Sequence, residues 1–286
     1  MVNLNVTLRP AVLNDQGRIA NLIYFESHVH RHLDWRSALD WLGQPEYWVL
    51  EQGDNLAGVL ACPSDPPGIA WIRLFAHAHT VTSRQTWQAL WQVAREQVVD
   101  THCQVAAAIT LQQWFAELLQ ESGFALTQKI VVLDHGLSGD LSQKPDTSIP
   151  IRRMTEQDLP AIAALDAAAF QPIWQNSQLS LQMAFAQAGL ATVIEEQGRL
   201  LGYQISTTSP FGMHLARLAV LPDYQERGLG MALVQNLLAH ASRNASGRIT
   251  VNTQDDNQPS LSLYRKLGFR LTGEQYPVYV FSCSKP

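Results

Sequence analysis

Gln225-Glu226-Arg227-Gly228-Leu229-Gly230 is the segment of this 286-residue chain whose residue types and spacing point most directly to chemistry. It lies between an apolar run, Leu215-Ala216-Arg217-Leu218-Ala219-Val220-Leu221, and a helical pattern that starts at Met231. A strand, a glycine-bearing turn and a helix N-terminus make an anion site, because the turn amides point one way and the helix dipole favours negative charge before them. Without a Cβ, Gly228 and Gly230 let a phosphate oxygen reach the amides, and positive φ costs them little. The spacing is too short for GxxxxGKS/T and lacks its lysine, and it is not GxGxxG. The chemistry suits a pyrophosphate held by neither an NTPase loop nor a dinucleotide fold.

A second element narrows this. Asn257-Gln258-Pro259-Ser260-Leu261-Ser262-Leu263-Tyr264-Arg265-Lys266-Leu267-Gly268-Phe269 reads as a short helix capped by Asn257, with Pro259 in its first turn and Gly268 at its end. Together the two elements resemble the GNAT acyl-CoA N-acetyltransferase superfamily. That family carries a Q/R-x-x-G-x-G/A turn, then an Asn seven residues before a Tyr in a run ending LGF.

The resemblance implies acetyl-CoA as co-substrate, no metal, and transfer of the acetyl group to a primary amine by direct attack. It assigns backbone groups of Leu218, Ala219 and Val220 to the pantetheine arm, and the Val220 N–H or a neighbour to the thioester carbonyl and its oxyanion. Gln225, Glu226, Arg227, Gly228, Leu229, Gly230 and Met231 become the pyrophosphate cradle. Asn257 becomes a coenzyme contact. Tyr264 becomes the general acid, since a phenol of pKa about 10 can protonate a departing thiolate.

An alkylamine acceptor has a pKa near 10.4 and must lose a proton before it attacks. Many relatives place a Glu five residues before the Asn; this chain has Asn252 there, which cannot serve. A water chain, His214 or Glu195 remains. Phe170-Gln171-Pro172-Ile173-Trp174 supplies an apolar acceptor wall without a charge clamp, compatible with a small-molecule amine or a peptide N-terminus. The competing class is a non-catalytic acyl-CoA sensor or structural pseudo-enzyme.

These residues need elements to position them, and the chain spells those elements twice. Glu51, Gly58, Gly68 and Arg73 match Glu195, Gly202, Gly212 and Arg217, each pair 144 apart; Arg9 matches Arg152 at 143, and Gly123-Phe124 matches Gly268-Phe269 at 145. Such a register indicates one duplicated α/β unit. The expected layout is a degenerate GNAT-like domain at 1–137, a linker at 138–149 and a GNAT acetyltransferase domain at 150–286. Each has a mixed sheet flanked by helices (α/β, or α+β).

In the second half, a capping box at Thr155–Asp158 opens a helix through Ala169, and a second helix spans Gln178–Ala188. Strands Leu190–Glu196 and Leu200–Thr207 flank a turn at Gln197-Gly198-Arg199. Leu229, Leu233, Leu237 and Ala241 share one helix face, Ile249, Val251 and Thr253 alternate along a strand, and Val278, Val280 and Phe281 lie in the last one.

At the same offset Gln225, Gly228 and Gly230 fall opposite Val81, Arg84 and Thr86, and at 145 Tyr264 falls opposite Leu119. The first half therefore lacks the glycine turn and the phenol, and is expected to support the second or shape its acceptor site. Its alternating His28, His30 and His32, with His77 and His79, could suit a metal. The first three read as helix or loop, and no Cys or carboxylate cluster completes a set. Trp35, Trp41, Trp48, Trp71, Trp87, Trp91 and Trp114 read as core or domain-interface residues.

Composition bounds the rest. Hydrophobic residues make up 46% and charged residues 16% of a chain with net charge -5, which suits a globular protein and gives no support to nucleic-acid binding. No apolar run is long enough for a membrane span, and the start lacks a signal-peptide pattern. Cys62, Cys103 and Cys283, odd in number and far apart, fit reduced cytoplasmic thiols. Composition does not choose an oligomeric state.

Overall fold

The computed structural model describes residues 6–100, 103–137, 150–243 and 247–283. The expected linker, 138–149, lies outside them. The chain forms two compact units, one of residues 1–128 with 276–286 and the other of residues 129–275.

The first unit holds β1 (Val6–Pro10), α1 (Gln16–Phe25), β2 (Val29–Arg31), β3 (Tyr47–Gln52), β4 (Asn55–Ala61), β5 (Ile69–Trp71), β6 (Leu74–His77), α2 (Ser83–Asp100), β7 (Val105–Ile109) and α3 (Gln113–Glu121). Next, β8 (Ala125–Gly136) passes from the first unit into the second. The second unit continues with β9 (Ile151–Arg153), α4 (Leu159–Ala169), α5 (Gln178–Ala186), β10 (Leu190–Glu196), β11 (Arg199–Ser209), β12 (Gly212–Val220), α6 (Leu229–Arg243), β13 (Arg248–Gln254) and α7 (Gln258–Lys266). Finally β14 (Arg270–Ser282) starts in the second unit and ends in the first.

The halves thus trade their last strands. Residues 130–136 of β8 pair antiparallel with β13 in the second unit, while Val278–Ser282 pair antiparallel with Ile109–Val105 of β7 in the first. A cut at 138–149 would strip the second unit of the strand beside β13, so the units and the sequence halves have different bounds. Of His28, His30 and His32, only His30 differs from expectation: it lies in the strand Val29–Arg31, paired with β6, while His28 and His32 flank that strand.

In the first unit an antiparallel sheet runs β1-β3-β4-β6-β2. Strand alternation sends Trp48 and Leu50 into one core with Trp87 and Leu90 of α2, and Tyr47 and Val49 into another with Ile19 and Leu22 of α1. Among the tryptophans, Trp41, Trp48, Trp71, Trp87 and Trp91 are buried. Trp87 and Trp91 stack with ring centroids 5.6 Å apart.

In the second unit the order is β8-β13-β12-β11-β10-β9, with β12 and β13 parallel and the other pairs antiparallel. Gln197 and Gly198, at φ 52 and 79, close the β10–β11 hairpin. The capping box at Thr155 and Asp158 forms, and α4 ends at Ala169. The face Leu229, Leu233, Leu237 and Ala241 of α6 is buried.

Both units carry the same clasp. Arg9 holds Asp15 and Glu51 in the first, with bonds of 2.7–3.1 Å; Arg152 holds Asp158 and Glu195 in the second. The clasp ties the first strand to the helix start and the hairpin, which accounts for the repeated Arg and Glu.

Candidate active site

The site begins where β12 leaves β13. Parallel pairing covers only Met213, Leu215 and the residue between, opposite Ile249–Val251. A register shift against β11 follows, at Leu215/Arg217 opposite Ser206/Ile205. Such a bulge bends the strand and increases its twist. Beyond it no strand among the described residues pairs with β12 on the β13 side. The Leu221 N–H donates to Leu201 O at 2.9 Å, so by alternation Ala219 and Arg217 face β11. Peptide groups of Leu218 and Val220 therefore point to the open edge. The Val220 carbonyl accepts from the Gln225 side chain at 3.1 Å, which ties the strand end to the turn.

After a 3-10 turn at Pro222–Tyr224, Glu226 and Gly228 take positive φ of 61 and 80 and feed α6. The first helical bond recorded there runs from Ala232 N to Gly228 O, 2.9 Å. The amides of Leu229, Gly230 and Met231 therefore have no acceptor within the helix. A Cβ on Gly230 would lie 3.5 Å from Leu263 Cδ2 and 3.9 Å from Val220 Cγ2, so strand end, helix start and α7 converge on this glycine. Arg227 and Arg199 place their guanidinium carbons 4.8 and 5.3 Å from the Tyr224 ring centre, adding two cations beside the turn. An edge of unpaired peptides, free helix-start amides and nearby arginines fit a ligand with an amide-bearing arm and a pyrophosphate.

Asn257 caps α7: its Oδ1 accepts from Ser260 N at 3.2 Å and its Nδ2 donates to Gln254 Oε1 at 3.3 Å. Tyr264 is 4% exposed, and its ring sits 5.6 Å from that of Phe269. Burial pushes its phenol above the usual pKa, so it stays protonated at neutral pH. The structure thus gives Tyr264 a packing role, with its proton retained.

Two candidate bases are otherwise engaged. Glu195 accepts from Arg152 Nε at 2.9 Å in the clasp. His214 lies inside β12; its Nδ1 meets Thr250 Oγ1 at 2.8 Å, and burial lowers its pKa. It is six residues from Val220, roughly 20 Å along a strand, too far to reach a shared reacting centre. Asn252 is exposed on β13, opposite Val132.

Sequence reasoning missed a buried polar cluster. Asp166, 0% exposed on α4, accepts from Arg217 Nε and Nη2 at 2.7 and 2.8 Å, from the Asn176 N–H at 2.8 Å, and from the Tyr203 hydroxyl. Arg217 also donates to Trp174 O at 2.7 Å and lies 3.6 Å from the Phe170 ring centre. This cluster fastens the Phe170–Trp174 segment to β12. The repeat flagged Arg217, but nothing local marks Asp166 within its alanine-rich helix.

Among the described residues no group of three or more His, Cys, Asp and Glu is placed to hold a metal, and no helix is long and apolar enough to cross a membrane.

The Acetyltransferase (GNAT) family profile matches residues 159–269, the stretch that holds the strand divergence, the glycine turn and the capped tyrosine helix. The chain is 29% identical over 173 residues to a mycothiol acetyltransferase of an Arthrobacter species, covering 54% of this chain and 53% of that protein. It is 28% identical over 131 residues to the N-alpha-acetyltransferase RimI of Mycobacterium tuberculosis, covering 44% and 80%. The mycothiol acetyltransferase matches span between 38% and 57% of the length of those relatives. Among solved structures, a tandem GNAT protein from the clavulanic acid biosynthesis pathway aligns over 99% of this chain and 100% of its own, with TM-score 0.64 and 17% identity. A GCN5-related N-acetyltransferase from Sphaerobacter thermophilus aligns over 98% and 96%, with TM-score 0.63 and 16% identity. These likenesses show a tandem GNAT fold for the whole chain.

Proposed function

We propose that the chain is an acetyl-CoA-dependent N-acetyltransferase whose second unit binds the coenzyme and transfers its acetyl group to a primary amine of a small molecule or peptide. The observation that carries this is the open edge of β12 running directly into the Gly228–Gly230 turn. Leu218 and Val220 offer a strand edge to the pantetheine amides, while Ala219 between them is turned to β11 instead of the arm. Gln225, Glu226, Arg227, Gly228, Leu229, Gly230 and Met231 surround the pyrophosphate, with the helix dipole behind them. Asn257 orients α7 beside the arm.

Acetyl-CoA supplies an activated thioester. The Val220 N–H stabilises negative charge on the carbonyl oxygen, and Tyr264 gives its proton to the leaving sulfur. With Asn252 unable to take a proton and Glu195 and His214 engaged elsewhere, water accepts the proton of the amine. The Phe170–Trp174 wall, fixed by Arg217 and Asp166, favours an apolar or uncharged surface around that amine. A relative named N-alpha-acetyltransferase supports an amine acceptor. The free, buried Cys62, Cys103 and Cys283 support a reducing, cytoplasmic setting.

Thiol release from acetyl-CoA across a panel of amines and peptide N-termini tests the reading. Acceptor-dependent release, lost in Tyr264→Phe, is expected. Tight acetyl-CoA binding with no release for any amine would instead favour a non-catalytic sensor.

A further inference from the structure

The first unit contains the counterpart of the open β12 edge, and the chain has closed it. β4 and β11 keep the 144 offset, as Gly58/Gly202 and Leu60/Gln204. Opposite these, β6 sets His77 and Phe75, where β12 sets Val220 and Leu218. Phe75 and His77 thus stand where Leu218 and Val220 stand in the second unit. The preceding parallel pairing is repeated too: Ile69–Trp71 lie beside residues 105–107, as Met213 to Leu215 lie beside residues 249–251. Each unit therefore reaches the same point at which its strand parts from its parallel neighbour.

Beyond that point the two differ. In the first unit β2 pairs antiparallel with β6, setting Val29 opposite Ala76, His30 opposite Phe75 and Arg31 opposite Leu74. The His77 N–H donates to His28 O at 3.3 Å, and the His32 N–H to Arg73 O at 3.0 Å. By alternation the His30–Phe75 pair is bonded through both peptides.

The inserted strand is held on its other side by α3, the counterpart of α7. The His30 ring stacks on Phe115 at 4.2 Å, and His28 lies 4.9 Å from the His77 ring and 5.2 Å from Trp114. Burial lowers the His30 pKa to about 4, consistent with a neutral stacking residue. Thr86, opposite Gly230, is buried, and a Cβ on Gly58 would lie only 2.3 Å from its methyl. Arg84, opposite Gly228, is ion-paired with Glu121.

We infer that β2 is a built-in occupant of the slot between β6 and α3, which in the second unit receives the pantetheine arm, so that the chain has one coenzyme site and a first unit sealed by its own backbone. This rests on the reading of the second unit as the coenzyme site. It also gives the alternating histidines a use: His28 and His30 are aromatic anchors of the plug.

Hydrogen exchange on the full chain, with and without saturating acetyl-CoA, tests it. A peptide spanning 74–77 should be protected without ligand and unchanged by acetyl-CoA, while one spanning 216–221 should exchange fast alone and slow by roughly tenfold or more when acetyl-CoA is added. Ligand-induced slowing at 74–77, poor protection there without ligand, or two coenzymes per chain by calorimetry would overturn the plug. Acetyl-CoA binding that leaves 216–221 unchanged would instead sink the second-unit reading while 74–77 still reports on β2. His30→Pro removes the central N–H of the ladder and should speed exchange at 74–77 by roughly tenfold, with acetyl-CoA affinity unchanged within about twofold. Should that variant not fold, the exchange pattern of the native chain decides alone.

Discussion

Substitution at Gly230 separates coenzyme binding from folding, because Ala there should favour folding and spare binding while a bulky residue should damage binding. The added Cβ would meet Leu263 Cδ2 at 3.5 Å and Val220 Cγ2 at 3.9 Å, ordinary contacts that need no rearrangement. Gly230 is the second residue of α6 and does not have the positive φ of Gly228. Replacing a glycine in a compatible helical position typically stabilises by about 0.4–1 kcal/mol through the unfolded chain. For a domain of this size that is a rise of about 1–4 °C in Tm. The turn of the family accepts Ala as well as Gly at this position, so that methyl should leave acetyl-CoA affinity within about twofold. Gly230→Leu instead sets a bulky side chain among the free amides of Leu229, Gly230 and Met231. A hydrogen bond to a charged group is worth about 1.5–3 kcal/mol, so losing one raises the Kd for acetyl-CoA by about 10–150-fold. Gly228→Ala is the contrast: at φ 80 it should cost about 1–2 kcal/mol of stability whatever its effect on binding. Calorimetric titration and thermal melts on the three variants give the two readouts. A Gly230→Leu protein that binds acetyl-CoA within about twofold of the native chain would refute the amide cradle.

Tyr264→Phe should lower turnover by about 10²–10⁴-fold while acetyl-CoA affinity and melting temperature stay near native, and near-normal turnover would leave Tyr264 with packing alone. Asp166→Ala strands a buried guanidinium, a tyrosine hydroxyl and a backbone N–H, and should cost about 3–5 kcal/mol by chemical denaturation. The double variant with Arg217→Met should recover part of that loss, and simple additivity would show that the two are not coupled. The Arg152 hydrogen bonds hold Asp158 at about pKa 2, and those of Arg9 do the same for Asp15. Both folded values lie below the unfolded value of about 3.9, so this stability is present above about pH 4 and is lost as pH falls towards 2. Asp158→Asn should flatten the acid limb of a stability–pH curve, and an unchanged limb would count against the clasp.

What lay in the sequence was local or periodic. The glycine turn was legible because few residues tolerate φ 80, and the Asn257 cap because a side-chain acceptor must stand three residues before an orphan N–H. Duplication showed through residues that repeat for structural reasons, above all the Arg9 and Arg152 clasps. Which strand pairs with which was not legible. Val278, Val280 and Phe281 mark a last strand and Ile130-Val131-Val132-Leu133 is a continuous apolar run, but nothing in either says which sheet it joins. Pairing between segments more than a hundred residues apart is decided by which edge the folded sheet leaves open.

The same holds for His28, His30 and His32. Their spacing states a two-residue period and leaves the partner unstated. Only the tertiary structure sets them against β6 and Phe115, closing in the first unit the edge that stays open in the second. Asp166 likewise owes its role to the fold. One carboxylate in an alanine-rich helix became the anchor of Arg217 because α4 crosses β11 and β12 where a buried guanidinium has no water to turn to.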